Sequence, residues 1–343
     1  MALQYEVKQL IKKISSHASS SAVTNLSELM ISLSSTMICR IAFGRRYEDE
    51  GTEKSRFHEL VHEIQAMLAV FFVSDYIPFM GWIDKLSGLH ARLDRIYKQM
   101  DEFYHEVIDE RLNKNIEKEE EVIVDVLLQL KKQRSFKGVF MNILVAATDT
   151  TAATLVWAMT ALIKNPRVMK KAQEEIRKFG GNKIFLDEDD IQNLPYLKAA
   201  IKETLRLYLP TPLLVPREAN ENCIIDGYQI QAKTIVFINA WAIHRDPEAW
   251  KDPEEFYPER FLNSAIDFEG QDYELIPFGA GRRICPGLQM AVPILGLVLA
   301  NLLHSFDWEL PQGLVKEDID NEMLPGITQH KKNPLCLCAK NYR

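Results

Sequence analysis

Pro277-Phe278-Gly279-Ala280-Gly281-Arg282-Arg283-Ile284-Cys285-Pro286-Gly287 sets one cysteine in a turn of glycines and arginines, directly ahead of an apolar stretch with helical character. A thiolate is stabilised by a metal, a nearby cation or a helix N-terminus, and this segment offers the last two before any metal is considered. Pro286 suits the first position of the helix that follows, where a missing N–H costs nothing. Gly279, Gly281 and Gly287 remove side chains where a flat cofactor would lie against backbone. Arg283, two residues before the sulfur, is within reach of an anionic cofactor edge. An arbitrary lone cysteine reads first as a buried free thiol. The ordered F-x-x-G-x-R-x-C-x-G spacing favours a metal ligand instead.

The rest of the chain has the length and composition of a folded protein. Its 343 residues, 47% of them hydrophobic, fill one large domain or two ordinary ones. With 41 basic and 48 acidic residues the formal net charge is -7, which excludes the broad basic footprint of a nucleic-acid binder. Five scattered cysteines (Cys39, Cys223, Cys285, Cys336, Cys338) point to a reducing compartment rather than a disulfide framework. Cys336 and Cys338, with no second pair or histidine cluster beside them, read as packing residues and not as a zinc site. The chain begins inside a helical pattern and shows no export signal. Residues 139–163 approach transmembrane length. Asn142, Asp149 and several threonines interrupt them, and a central aspartate costs about 3 kcal/mol to insert into a bilayer. A helix buried in a large domain is the expected outcome.

Apolar spacing predicts helices over roughly 3–15, 24–43, 53–74, 88–118, 122–132, 138–164 and 195–208, with a further amphipathic helix after Pro166 that stops at Gly180-Gly181. Glu117 to Glu121 is a charge run suited to a solvated helix end or loop. Strand signals are almost absent from the first half. Short strands are expected at 213–215, 223–230 and 234–239, with Asp226-Gly227 as a hairpin turn. The fold class is mainly α with a small β region.

Two further constellations carry chemistry. Ala146-Ala147-Thr148-Asp149-Thr150-Thr151 puts an acid beside hydroxyls in apolar surroundings, a costly arrangement that points either to a functional acid or to threonine hydroxyls bonded to carbonyls one turn back, with Asp149 satisfied by a neighbour. Glu203-Thr204-Leu205-Arg206 places opposite charges three residues apart on a helix, and Arg260 in Pro258-Glu259-Arg260-Phe261 offers a second cation.

Taken in order, these motifs resemble those of the cytochrome P-450 family, in the form typical of plant microsomal A-type members. The cysteine turn is similar to the haem-thiolate signature, residues 146–151 to the oxygen-activation motif, and Glu203, Arg206 and Arg260 to the buried Glu-Arg-Arg network. The resemblance implies a cytochrome P-450 fold lacking its N-terminal part, with residues 1–343 forming a single partial domain from which the membrane anchor, first strands and W-x-x-x-R helix are absent. It implies haem b (iron protoporphyrin IX) held by Cys285 as metal ligand, with Phe278, Gly281, Arg283 and Arg217 as further cofactor-binding residues. Asp149 and Thr150 are implied as the catalytic proton relay. Leu209 to Arg217 and Leu324-Pro325-Gly326-Ile327-Thr328 resemble pocket-lining segments. The implied activity is a haem-thiolate monooxygenase that oxidises a small hydrophobic plant metabolite with dioxygen, using NADPH electrons delivered by NADPH-cytochrome P-450 reductase. The implied location is the cytosolic face of the endoplasmic reticulum membrane, with a cytosolic form open to a chain without the anchor. Tyr76 to Trp82 resembles a loop that makes peripheral membrane contact. Ala147 departs from the family's usual glycine, and 134–138 joins two helices where relatives carry a longer linker. A truncated, non-catalytic haem-binding or poorly folding form stays open, as does a dehydratase or isomerase on the same scaffold.

Overall fold

Apolar residues three and four apart make most of this chain helical, and the computed structural model describes residues 2–44, 72–113, 122–125 and 136–342, with Leu60, Glu63, Ile64, Ala66, Met67 and Val70 besides. Helices α1 (Ala2–Ser19), α2 (Leu26–Phe43), α3 (Val73–Tyr76), α4 (Trp82–Leu86) and α5 (Leu89–Asn113) precede the long α6 (Phe136–Lys164). After it come α7 (Pro166–Gly180), α8 (Glu188–Ile191), α9 (Pro195–Leu207), α10 (Ala240–Ile243) and α11 (Leu288–Ser305). The charge run at 117–121, most of the helix expected at 53–74, most of that at 122–132 and the junction at 134–135 lie outside the described residues.

Two compact units are formed, one of Met1–Ala2 with Ile31–Asp149, the other of Leu3–Met30 with Thr150–Arg343. Helices α2 and α6 contribute residues to both. In the first unit, Phe43 meets Phe103 edge-on at 6.1 Å, and the buried Asp84 carboxylate accepts the free amides of Val73 and Ser74 at 2.9 and 2.8 Å, which starts α3. In the second unit, every residue of α6 from Thr151 to Ile163 is buried, and Trp157 stacks on Tyr208 at 5.1 Å. Asn142–Lys164 is long and apolar enough to cross a membrane, yet most of its residues are buried within the protein. Helix α11 packs so closely on α8 that a Cβ at Gly296 would lie 2.7 Å from Ile191 Cγ2.

The β region consists of β1 (Val23–Asn25), β2 (Arg217–Glu218), β3 (Cys223–Ile225), β4 (Tyr228–Ile230), β5 (Ile235–Val236), β6 (Phe306–Glu309) and β7 (Cys336–Asn341). They pair antiparallel as β1-β7-β6, β2-β5 and β3-β4. Asp226 and Gly227 take φ of 50° and 83°, the two left-handed residues that a tight hairpin requires. The strand expected at 213–215 does not form. Pro212 and Pro216 remove ladder donors, and Leu214 turns with φ of 51° while its amide donates to Thr211 O at 3.0 Å. Pairing begins only at Arg217 and, across from it, is confined to Ile235–Val236 within the predicted 234–239. Strand β1 was unexpected, because its partner Cys336–Cys338 lies at the far end of the sequence.

A buried ion triad ties α9 to the segment that leads toward the cysteine turn. Glu203 and Arg206 are both 0% exposed. Arg206 Nε and Nη2 donate to the Glu203 carboxylate at 2.7 and 2.9 Å, and Arg260 Nε donates to the same carboxylate at 3.0 Å. The Tyr257 amide supplies another bond to it at 2.8 Å. The remaining Arg206 donors reach the carbonyls of His244, Pro253 and Glu255 at 2.7, 2.7 and 3.1 Å. A buried pair stabilises only when its other bonding capacity is met, and here it is.

The loop carrying Leu324 to Thr328 is tied down by a second set of charges. Lys331, whose side chain is 3% exposed, pairs with Asp320 at 2.9 Å and donates to its carbonyl at 2.8 Å. Lys164 Nζ donates to Ile319 O at 2.8 Å. The Gln329 amide donates to Pro210 O at 2.8 Å, and its carbonyl accepts from Trp157 Nε1 at 2.9 Å.

Replacing Arg206 with methionine is expected to destabilise the fold by about 3–5 kcal/mol in urea titrations, and the Glu203→Met, Arg206→Met double variant by less, because no buried charge is then stranded. For the loop, desolvation opposes ionisation of Asp320, but bonds from Lys331, Asn333 and the Glu322 amide outweigh it and hold the carboxyl at about 2, below the usual 3.8. That stabilisation is full above the unfolded carboxyl's value and is lost as pH falls toward 2. Amide protection at Leu324, Gln329 and Lys332 should therefore fall across that window, and Lys331→Met should show the same loss at neutral pH.

Candidate active site

The glycines of the cysteine turn are set by backbone geometry. Gly279 and Gly281 take φ of 73° and 70°, where an L side chain is strained. Between them the chain doubles back: Gly279 N donates to Ile276 O at 2.9 Å, and Cys285 N donates to Phe278 O at 2.9 Å. Residues Gly281–Arg283 form a single 3₁₀ turn, and Gly287 is the N-cap of α11. The Cys285 side chain is exposed, lies ahead of the positive end of α11 and follows two exposed arginines, Arg282 and Arg283. A Cβ on Gly287 would sit 3.7 Å from Cys285 Sγ.

Several elements hold this turn from below and beside. Leu209, Leu214, Ala240 and Ile276 form a buried cluster with Ile243 and Ala280 packed on it. Phe278 is half-buried and meets Phe268 edge-on at 5.6 Å. Arg217, on β2, donates Nη2 to Arg283 O at 3.2 Å and so binds the strand to the turn. Trp241 N donates to Pro212 O at 3.0 Å, which keeps the proline-rich stretch alongside α10. Phe278, Gly281, Arg283, Cys285 and Arg217 are thus brought together within one unit.

Asp149 and Thr150 occupy successive positions on α6, Asp149 buried and Thr150 half-buried. Asp149 ends one unit and Thr150 begins the stretch of α6 that belongs to the other. The Thr154 hydroxyl donates to Thr150 O at 2.7 Å and Thr160 to Val156 O at 2.8 Å, so the hydroxyls one and more turns along are consumed by the helix. Glu203, Arg206 and Arg260 meet in the buried triad described above.

Sequence reasoning missed two residues that shape the turn. Gly270, with φ of 83°, packs against it so closely that a Cβ would lie 3.0 Å from Ile284 Cδ1 and 3.2 Å from Ala280 Cα. His244 is fully buried and bonds both to α9 and to Ile276, the residue that opens the turn. A lone histidine in Trp241-Ala242-Ile243-His244-Arg245-Asp246 carries no metal-ligand spacing, so only its tertiary partners mark it.

The donor set constrains what this site can hold. Among the described residues no three histidine, cysteine, aspartate or glutamate side chains converge in metal-ligand fashion. Cys285 could therefore serve a metal only as a single ligand, to an ion that brings its other ligands with it. An iron already chelated by a planar macrocycle meets that requirement, and the two glycines and flanking arginines suit a flat, anionic group.

Comparison with known proteins gives the family. The family profile described as cytochrome P-450 matches residues 2–337. The chain is 50% identical over 352 residues to 5-OH-xanthotoxin synthase of Pastinaca sativa, covering 99% of this chain and 70% of that protein. It is 48% identical over 351 residues to cytochrome P-450 71A1 of Persea americana, covering 98% and 70%. Strychnine-11-hydroxylase of Strychnos nux-vomica is 46% identical over 350 residues, covering 98% and 68%. The chain belongs to the cytochrome P-450 family, oxidoreductases that work through haem iron with electrons supplied by a reductase.

Proposed function

We propose that this protein is a haem-thiolate monooxygenase that hydroxylates or otherwise oxidises a small hydrophobic plant metabolite, with Cys285 as the protein ligand to iron. The observation that carries the reading is the exposed Cys285 side chain, on a residue whose backbone amide donates to the Phe278 carbonyl, between left-handed glycines and the start of α11, in a protein with no competing ligand cluster among the described residues. When bound, haem b supplies the activation of dioxygen and the transfer of one oxygen atom, using electrons that originate in NADPH and arrive through NADPH-cytochrome P-450 reductase.

This chain's residues supply the rest. The Cys285 sulfur fixes where the iron sits and donates charge to it. Gly281, with open space where a Cβ would stand, lets the flat group approach the backbone. Arg217 and Arg283 would bind its carboxylate edge, and Phe278 would flank it on the side of the sulfur. Asp149 and Thr150 hold and pass the protons that oxygen reduction consumes. Residues 209–216 and 324–328 line an apolar substrate site. Relatives named 5-OH-xanthotoxin synthase, 6,7,8-trihydroxycoumarin synthase and strychnine-11-hydroxylase support a plant metabolite of the coumarin or alkaloid kind. The working location is the cytosolic face of the endoplasmic reticulum membrane. There the exposed Tyr76, Phe79, Trp82 and Leu86 make a peripheral lipid contact, with Phe79 83% exposed and Trp82 57%.

Reduced, haem-loaded protein under carbon monoxide is expected to show the shifted Soret band of thiolate ligation, and Cys285→Ala to lose it; a variant that kept the band would refute the ligand assignment. With reductase and NADPH, Thr150→Ala should lower product formed per NADPH consumed about tenfold while hydrogen peroxide release rises. Full coupling in that variant would rule out the relay.

A further inference from the structure

His244 is a buried, titratable side chain that neither oxygen activation nor substrate binding uses. It caps α10 and is 0% exposed. Its ring touches two elements by opposite chemistry. Nε2 lies 2.9 Å from the amide nitrogen of Ile276, and an amide N–H only donates, so Nε2 carries a lone pair. The hydrogen is therefore on Nδ1, which donates to Arg206 O at 3.2 Å. The partners assign one neutral tautomer, and burial supports it by pushing the ring's protonation down to about 4. The histidine's own carbonyl accepts from Arg206 Nη1 at 2.7 Å, so backbone and ring both grip the arginine of the buried triad.

From Ile276 the connection runs on without a gap. Ile276 O accepts the Gly279 amide at 2.9 Å, and Phe278 O accepts the Cys285 amide at 2.9 Å. Ile276 belongs to the buried cluster with Leu209, Leu214 and Ala240, so nearby apolar side chains exclude the water that would otherwise replace these bonds.

We propose that His244 is a positioning residue for the metal-ligating cysteine: as a neutral peg between the Glu203–Arg206 pair and Ile276, it sets the height of the 276–285 turn and so the place of Cys285 Sγ. The proposal rests on the reading of Cys285 as the iron ligand, but its structural half is testable without haem.

Two variants separate the two ends of the ring. Asparagine places its amide near Nδ1, keeping the Arg206 contact and losing the acceptor for Ile276. Glutamine reaches the Nε2 position and keeps that acceptor. In the haem-free chain, His244→Asn should speed hydrogen exchange at the Ile276, Gly279 and Cys285 amides about tenfold relative to amides of α7, whereas His244→Gln should stay within about twofold. In haem-loaded, reduced protein under carbon monoxide, the thiolate-type fraction should fall by more than about half in the asparagine variant and be restored by glutamine. Equal exchange at these amides in both variants would overturn the proposal, as would a full thiolate band in the asparagine variant. Should the asparagine variant not fold, the unsubstituted chain decides: the Ile276, Gly279 and Cys285 amides must open together with one protection factor, and separate opening overturns the peg. If the unsubstituted chain takes up no haem, the ligand reading fails while exchange still tests the peg.

Discussion

One carboxylate, fully removed from water, organises the C-terminal half of this protein. Glu203 accepts from Arg206, Arg260 and the Tyr257 amide, and Arg206 spends its other donors on three backbone carbonyls. A charge so placed has no solvent to fall back on, so every partner must stay where it is. Those partners come from α9, from the end of α10 and from residues 253–260, and the last two have few regular backbone bonds of their own. The triad therefore does for irregular chain what a sheet does for strands. Trp250, 5.3 Å from the Arg206 guanidinium and 5.9 Å from that of Arg260, covers the cluster with an aromatic face.

The cysteine turn is an irregular loop set on that rigid base. Its shape comes from left-handed glycines and from carbonyls turned inward to accept amides, while its location comes from Ile276 below and Arg217 beside it. Chemistry that requires one atom to be fixed is thus separated from the conformational freedom needed to form the turn. The apolar cluster of Leu209, Leu214, Ala240 and Ile276 serves both ends, packing beneath the turn and excluding water from the bonds that hold it.

Charges perform a comparable task at the C-terminal loop. Lys331 is buried against Asp320 and lies 6.0 Å from the centre of Trp157, the same ring that stacks on Tyr208 just after α9. The loop at 324–328, the proline-rich stretch at 209–216 and the C-terminal half of α6 are tied to one another by these few contacts, although they are distant in sequence.

The sequence alone determined the helical character, the bounds of α2, α6, α7 and α9 to within two residues, the Asp226-Gly227 hairpin, the family and the identity of the residues around Cys285. These follow from local rules: apolar spacing, proline and glycine placement, and short ordered motifs whose members interact across few residues. It could not place the strand at Val23–Asn25, whose partner lies more than three hundred residues away, nor foresee that prolines on either side would turn 213–215 out of a ladder. The significance of Gly270, His244 and Lys331 was equally hidden. Each is an ordinary residue in its local context, and only tertiary structure decides what a side chain meets when it is buried, because a hydrogen bond's worth depends on the water its surroundings exclude.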